Sequence, residues 1–166
     1  HMTDPNGPLP GRTIKNLSLA GGFHGRTDRP ARYSDSTRAT YRSHLASYRD
    51  QDSLLTVEPN NLEHLRAIFD QAEKDQVFIE AFFMEPVMGE GNPGAAITPA
   101  FYALARELTE AHGTVLLVDS IQAGLRATGA LSIVDYPGFE TLPPPDMETY
   151  SKALNAGQYP LSVLAM

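Results

Sequence analysis

Apolar and polar positions repeat along this chain with two different periods. Ile14 to Ala20 (IKNLSLA) alternates, which predicts a half-buried strand ended by Gly21-Gly22. Leu54 to Val57 predicts a second short strand, stopped by Pro59-Asn60. From Asn61 the period changes. Leu62, Leu65, Ala67, Ile68, Phe69 and Ala72 form an apolar face at helical spacing, with Asn61 at the N-cap position. Val77 to Met84 (VFIEAFFM) is almost wholly apolar and reads as a strand buried on both faces. Glu85 to Ile97 is a Gly/Pro-rich loop. Thr98-Pro99 opens a helix, with a hydroxyl cap and Pro at its first position, that runs to about Ala111 and ends at Gly113. Thr114 to Val118 (TVLLV) predicts another buried strand, with Asp119 at its carboxyl end. Residues 28–52 are polar, basic and Ser/Thr-rich, and read as a surface excursion with a short helix at 37–48. Leu161 to Met166 has the look of a strand.

Strand, helix, strand, helix, strand is the α/β pattern: a mostly parallel sheet with helices packed on it. Right-handed crossovers bring the strand ends to one edge, and ligands of such sheets sit beyond the carboxyl ends. Glu85, Asp119 and the Gly22–Arg26 turn would share that edge. The 166 residues fit one domain or one part of a larger one. His1-Met2 resembles the scar of a cleaved tag, and Thr3 to Gly11 reads as a flexible lead-in, so residues 1–11 are set apart from the folded unit 12–166. A chain that stops inside a strand reads as a piece of a longer one.

Composition narrows the classes. Apolar residues make up 42% and charged residues 20%, which suits a packed core and not a disordered or collagen-like chain. The absence of cysteine excludes disulfides, zinc–thiolate sites, iron–sulfur clusters and a cysteine nucleophile. No apolar run approaches the roughly 18 residues of a membrane span. A net charge of −7 argues against nucleic-acid binding. Residues 12–49, however, hold eight of the 13 Lys/Arg and two of the 20 Asp/Glu. That segment is a solvated basic face, or a patch that steers an anionic small molecule. No targeting signal is legible, and the cytoplasm is the default compartment.

Four places carry candidate chemistry. Asp119 stands where an apolar strand meets a crevice, as a turn residue, an acceptor for a protonated ring nitrogen, or a metal ligand. No second ligand lies nearby at metal spacing, which disfavours metal. Lys152, in Tyr150-Ser-Lys-Ala-Leu-Asn-Ala-Gly157, lies in a small-residue turn between apolar stretches. It reads as a surface lysine or as an amine for carbonyl chemistry. Gly89-Glu-Gly-Asn-Pro-Gly94 matches a dinucleotide fingerprint on paper. Glu90 inside it would repel a pyrophosphate, Pro93 removes a donor, and the next helix starts too late. The turn Gly21-Gly-Phe-His-Gly-Arg-Thr27 combines a flat aromatic face, an imidazole and a carboxylate-binding guanidinium. His24 alone reads more simply as a packing histidine.

Five blocks taken together resemble the class III aminotransferases. They are Phe23-His-Gly-Arg-Thr27, Glu85-Pro-Val-Met-Gly-Glu-Gly91, Val118-Asp-Ser-Ile-Gln-Ala-Gly124, Thr128-Gly129 and Ser151-Lys-Ala-Leu154. Their order and rough spacing agree over about residues 14–166. The family comprises pyridoxal-phosphate enzymes of fold type I, including ornithine, 4-aminobutyrate and acetylornithine aminotransferases. The resemblance implies that Lys152 carries pyridoxal 5′-phosphate as a Schiff base and moves the substrate proton. It implies that Asp119 pairs with the pyridinium nitrogen, that Ile121 and Phe23 cover the two ring faces, and that Gln122 reaches the phenolic oxygen. His24 joins this cofactor-binding set. Arg26, Glu85 and Glu90 are implied on the substrate side, with Glu90 able to pair with an arginine of the C-terminal domain. Transamination of an amino donor to a 2-oxo acid and a homodimeric full-length enzyme are implied as well.

Departures from the family pattern bear on function. The usual Asp-Glu is Asp119-Ser120 here, and the usual Arg-Thr-Gly is Ala127-Thr128-Gly129, with Arg126 one position earlier. A longer Pro-rich stretch separates Asp119 from Lys152. The phosphate-loop segment expected before this chain and the small domain expected after it are absent, so the chain reads as the central part of a large domain. The alternatives are another pyridoxal-phosphate reaction (racemisation, decarboxylation or elimination), a non-catalytic fragment or binding domain and, third, a nucleotide-binding domain.

Overall fold

A computed structural model of the chain describes residues 6–7, 9–50 and 52–166. The expected tag scar at His1-Met2 and residues 3–5 and 8 of the lead-in lie outside the described residues. Among these residues six strands form one sheet: β1 (Thr13–Leu19), β2 (Leu54–Val57), β3 (Val77–Met84), β4 (Val115–Asp119), β5 (Met147–Tyr150) and β6 (Val163–Ala165). Their spatial order is β2-β1-β3-β4-β5-β6. All pairings are parallel except β5 with β6. The chain thus reverses its direction of winding between β1 and β3, the kind of switch point that opens a crevice at the carboxyl edge.

Among the described residues four α-helices accompany the sheet: α1 (Asp28–Tyr33), α2 (Asp35–His44), α3 (Leu62–Lys74) and α4 (Pro99–His112). The helix expected at 37–48 forms as α2 followed by a 3₁₀ turn, Ala46–Tyr48. Residues 28–33, expected as irregular surface chain, form α1. Local signals set the ends of α3 and α4. The Asn61 side chain accepts the His64 N–H at 2.9 Å, and Thr98 accepts the Phe101 N–H at 3.3 Å. Pro99 occupies the first position of α4, and Gly113 closes it in the left-handed region at φ +67°.

Helices α3 and α4 pack on one face of the sheet and on each other. Phe69, Phe82, Phe101 and Tyr102 are fully buried there, each contributing about 1.5–3 kcal/mol of apolar burial. Tyr102 also donates its hydroxyl to the Pro143 carbonyl at 2.8 Å, tying the Pro-rich stretch to α4. The expectation that β3 is buried on both faces does not hold. Phe82 and Met84 are buried on the helical side, whereas Glu80 is exposed and Ala81 and Phe83 are half-buried. The physical reason is asymmetric cover. Phe83 is met by Tyr33, stacked at 4.6 Å between ring centroids, and by His24 at 5.5 Å. β4 shows the same alternation, with Leu116 and Val118 buried and Val115 and Leu117 half-buried. Strand β6, inside the segment expected as a strand, lies exposed along the edge. No helix among the described residues is long and apolar enough to cross a membrane.

Candidate active site

The carboxyl ends of β1, β4 and β5 converge on a cavity of about 70 Å³ lined by Phe23, His24, Gly25, Asp119, Ile121, Gln122 and Lys152. All six residues expected to touch the cofactor therefore line one space. Gln122 also borders a wider, more open cleft of about 360 Å³, walled by Met88, Gly89, Glu90 and Arg126 among others.

Strand alternation places Asp119 on the face opposite the helices, toward the turn that follows β1. Its Oδ2 lies 2.9 Å from His24 Nδ1, which donates to the carboxylate. Oδ1 accepts the Ile121 N–H at 3.2 Å and the Thr149 hydroxyl at 3.3 Å. His24 is fixed in turn from three sides. Its Nε2 is 3.2 Å from Ser18 Oγ, its backbone N–H donates to Ser34 Oγ at 2.8 Å, and its ring leans on Phe83. Ser18, Ser34 and Thr149 had no place in the sequence reading. Thr149 could have been found only by recognising β5, whose four residues (METY) carry too short an alternation to stand out.

Glu85 sits beneath this floor. It was expected to line the substrate side, but it is 1% exposed and both of its oxygens are engaged. Oε1 accepts the Phe23 N–H at 2.8 Å and Oε2 accepts the Gly89 N–H at 3.0 Å. Burial pushes its carboxyl above the usual glutamate range, opposed by those two amides and by His24. Glu85 therefore acts as a strut between the turn after β1 and the loop after β3. Arg26 and Glu90 stand at the rim, both exposed, with a 3.4 Å contact between Arg26 Nη2 and Glu90 Oε2. The Arg26 guanidinium lies 5.6 Å from the centre of the Phe23 ring.

The fingerprint-like glycines serve packing. A Cβ at Gly89 would collide with the Gln122 side-chain carboxamide, and one at Gly91 would overlap the Gly21 carbonyl oxygen. The loop after β3 can therefore lie flat on the turn after β1 only with glycine at 91. Lys152 is separated from β5 by Ser151 alone and opens a 3₁₀ turn, Lys152–Asn155, with its own φ at +29°. That value is unusual for a residue with a side chain.

The donors and acceptors present fit pyridoxal phosphate. Asp119 uses three of about four lone-pair sites, leaving an acceptor for a ring N–H. Gln122 Nε2 is buried with no hydrogen-bond partner, an orphaned donor suited to an oxygen anion. Lys152 brings a primary amine to the same cavity. Among the described residues no cluster of three or more His, Cys, Asp or Glu could hold a metal ion. Part of the basic segment 12–49 is paired: Arg12 with Glu73, Lys15 and Arg38 with the same Asp52, and Arg32 with Asp28.

Known proteins resemble this chain in sequence and fold. The family model for class III aminotransferases matches residues 9–166. The acetylornithine aminotransferase of Mycolicibacterium smegmatis is 32% identical over 154 residues, covering 90% of this chain and 34% of that protein. The ornithine aminotransferase of Emericella nidulans is 32% identical over 151 residues, with 88% and 31% covered. The chain thus spans about one third of the length of these curated relatives. Among solved structures, the ornithine aminotransferase of Toxoplasma gondii, described with PLP at partial occupancy in its active site, superposes with a TM-score of 0.70 at 26% identity. That match covers 94% of this chain and 33% of the other. With the lysine, the aspartate and their supporting turn in one cavity and the family model matched over nearly the whole length, the chain belongs to the class III aminotransferases.

Proposed function

We propose that this chain forms the cofactor-bearing part of an enzyme that moves an amino group from an amino donor to a 2-oxo acid, with pyridoxal 5′-phosphate held through Lys152. The observation that carries this reading is the convergence of Lys152, Asp119, Gln122, Ile121, Phe23 and His24 on one cavity. When bound, pyridoxal phosphate supplies an electron sink that lets the Cα–H bond of an amino acid break. This chain's residues supply the rest. The Lys152 amine would hold the cofactor and would also carry the proton from substrate Cα. Asp119, held by His24, Ile121 and Thr149, keeps a proton on the ring nitrogen. Gln122 Nε2 donates to the ring oxygen, and Phe23 and Ile121 exclude water from the ring faces. Arg26 at the rim binds a substrate carboxylate once released from Glu90. A homodimer is the working assembly in this reading.

Ser120 gives no support to a different reaction. Its side chain faces away from the cavity, toward Glu148.

The test is a visible absorbance titration with pyridoxal phosphate on this chain and on Lys152→Ala. A band for lysine-bound cofactor that the variant lacks is the expected result. A spectrum unchanged by the mutation sinks the assignment of Lys152, and product analysis with amino donors then distinguishes transamination from other outcomes.

A further inference from the structure

Glu148 is the buried carboxylate that the cofactor site does not use. It lies on β5 and is 3% exposed. Its Oε1 accepts the Ser120 hydroxyl at 2.5 Å and the Ile133 N–H at 3.1 Å, and its Oε2 accepts the Ser132 hydroxyl at 2.7 Å. No ion pair to Glu148 occurs among the described residues. A buried carboxylate satisfied by neutral donors alone has a costly desolvation to offset, so its geometry calls for a reason.

The register supplies one. Val118 stands opposite Glu148, and Asp119 opposite Thr149. Because side chains alternate, Glu148 and Ser120 share the helical face of the sheet, while Asp119 and Thr149 share the cavity face. Ser120 and Ser132-Ile133 are the two ends of the segment that carries Ile121 and Gln122. Glu148 holds both ends at once. The family pattern has a glutamate at position 120, where this chain has serine. Residue 148 of β5 is close enough to put a carboxylate beside that position from the neighbouring strand.

We propose that Glu148 is a positioning residue that takes over the anchoring carboxylate of position 120, moved one strand sideways, and thereby fixes the segment presenting Ile121 and Gln122. The link to the cofactor rests on the function proposed above, whereas the clamp itself does not.

The test is a residue swap, read without cofactor. Glu148→Val leaves two hydroxyls and one amide without an acceptor, and its unfolding midpoint falls by about 5 °C or more. Ser120→Glu alone crowds two carboxylates into one buried site and is destabilised as well. The combined Ser120→Glu/Glu148→Val chain recovers more than half of the loss. It also restores slow hydrogen exchange at the Ile133 amide, which Glu148→Val makes fast. A combined variant no more stable than Glu148→Val, or an unchanged midpoint in Glu148→Val, overturns the proposal. If Glu148→Val does not fold, cooperative unfolding of the combined variant supports the swap, and its absence overturns it. Pyridoxal phosphate binding is measured separately on the unmutated chain, where failure counts against the proposed function and leaves the clamp result standing.

Discussion

Glu85 carries a carboxylate to a place that water does not reach, and two backbone amides are its compensation. Burial dominates, so its folded-state pKa lies above the unfolded one. A raised pKa means the folded form binds the proton more tightly. The stability this linkage contributes is full below the ordinary glutamate pKa and is lost as pH rises through the folded value. In unfolding measurements across the acid range, the native chain is expected to lose stability relative to Glu85→Gln as pH rises through that window. A difference independent of pH would show that Glu85 is not held in its neutral form. The same residue shows where sequence reading stops. Glu85 was placed at the correct strand end from the apolar run before it, but its partners Phe23 and Gly89 are amides, and amides leave no mark in side-chain identity.

Helix α4 follows from its sequence: hydroxyl cap, proline, apolar face and terminal glycine agree with one another. Removing the cap by Thr98→Ala leaves the Phe101 N–H without its acceptor and should cost about 1 kcal/mol, or roughly 2–4 °C in the midpoint. Cofactor affinity should not change, since Thr98 is remote from the cavity, and thermal unfolding beside a binding titration checks both. Strands β1 to β4 were legible too, β1 as an alternation ended by Gly21-Gly22 and β2 to β4 as apolar runs. Strand β5 was not. Its four residues include a buried glutamate, and it forms because Asp146, before it, pairs its backbone and side chain with Leu116 at the start of β4. A strand specified by its neighbour rather than by its own pattern is invisible to periodicity, and Thr149 and Glu148 were missed with it.

Across the whole molecule, each part of the cavity comes from a different strand end, so no single segment can hold a ligand alone. A ligand that engages several ends at once should therefore stabilise the entire fold. At a pyridoxal phosphate concentration about 100-fold above its dissociation constant, linkage gives about 2.7 kcal/mol, and Lys152→Ala should lose most of that gain. Thermal unfolding with and without the cofactor measures it, and an equal gain in the variant would mean binding elsewhere. The backbone at Lys152 has a longer consequence. A conformation at φ +29° suits glycine, and a lysine there is kept against the local preference of the chain. Under the proposed function, selection for chemistry and selection for stability pull this position in opposite directions. In a lineage that no longer needed the reaction, the lysine would be free to drift, and the fold would be firmer where glycine took its place.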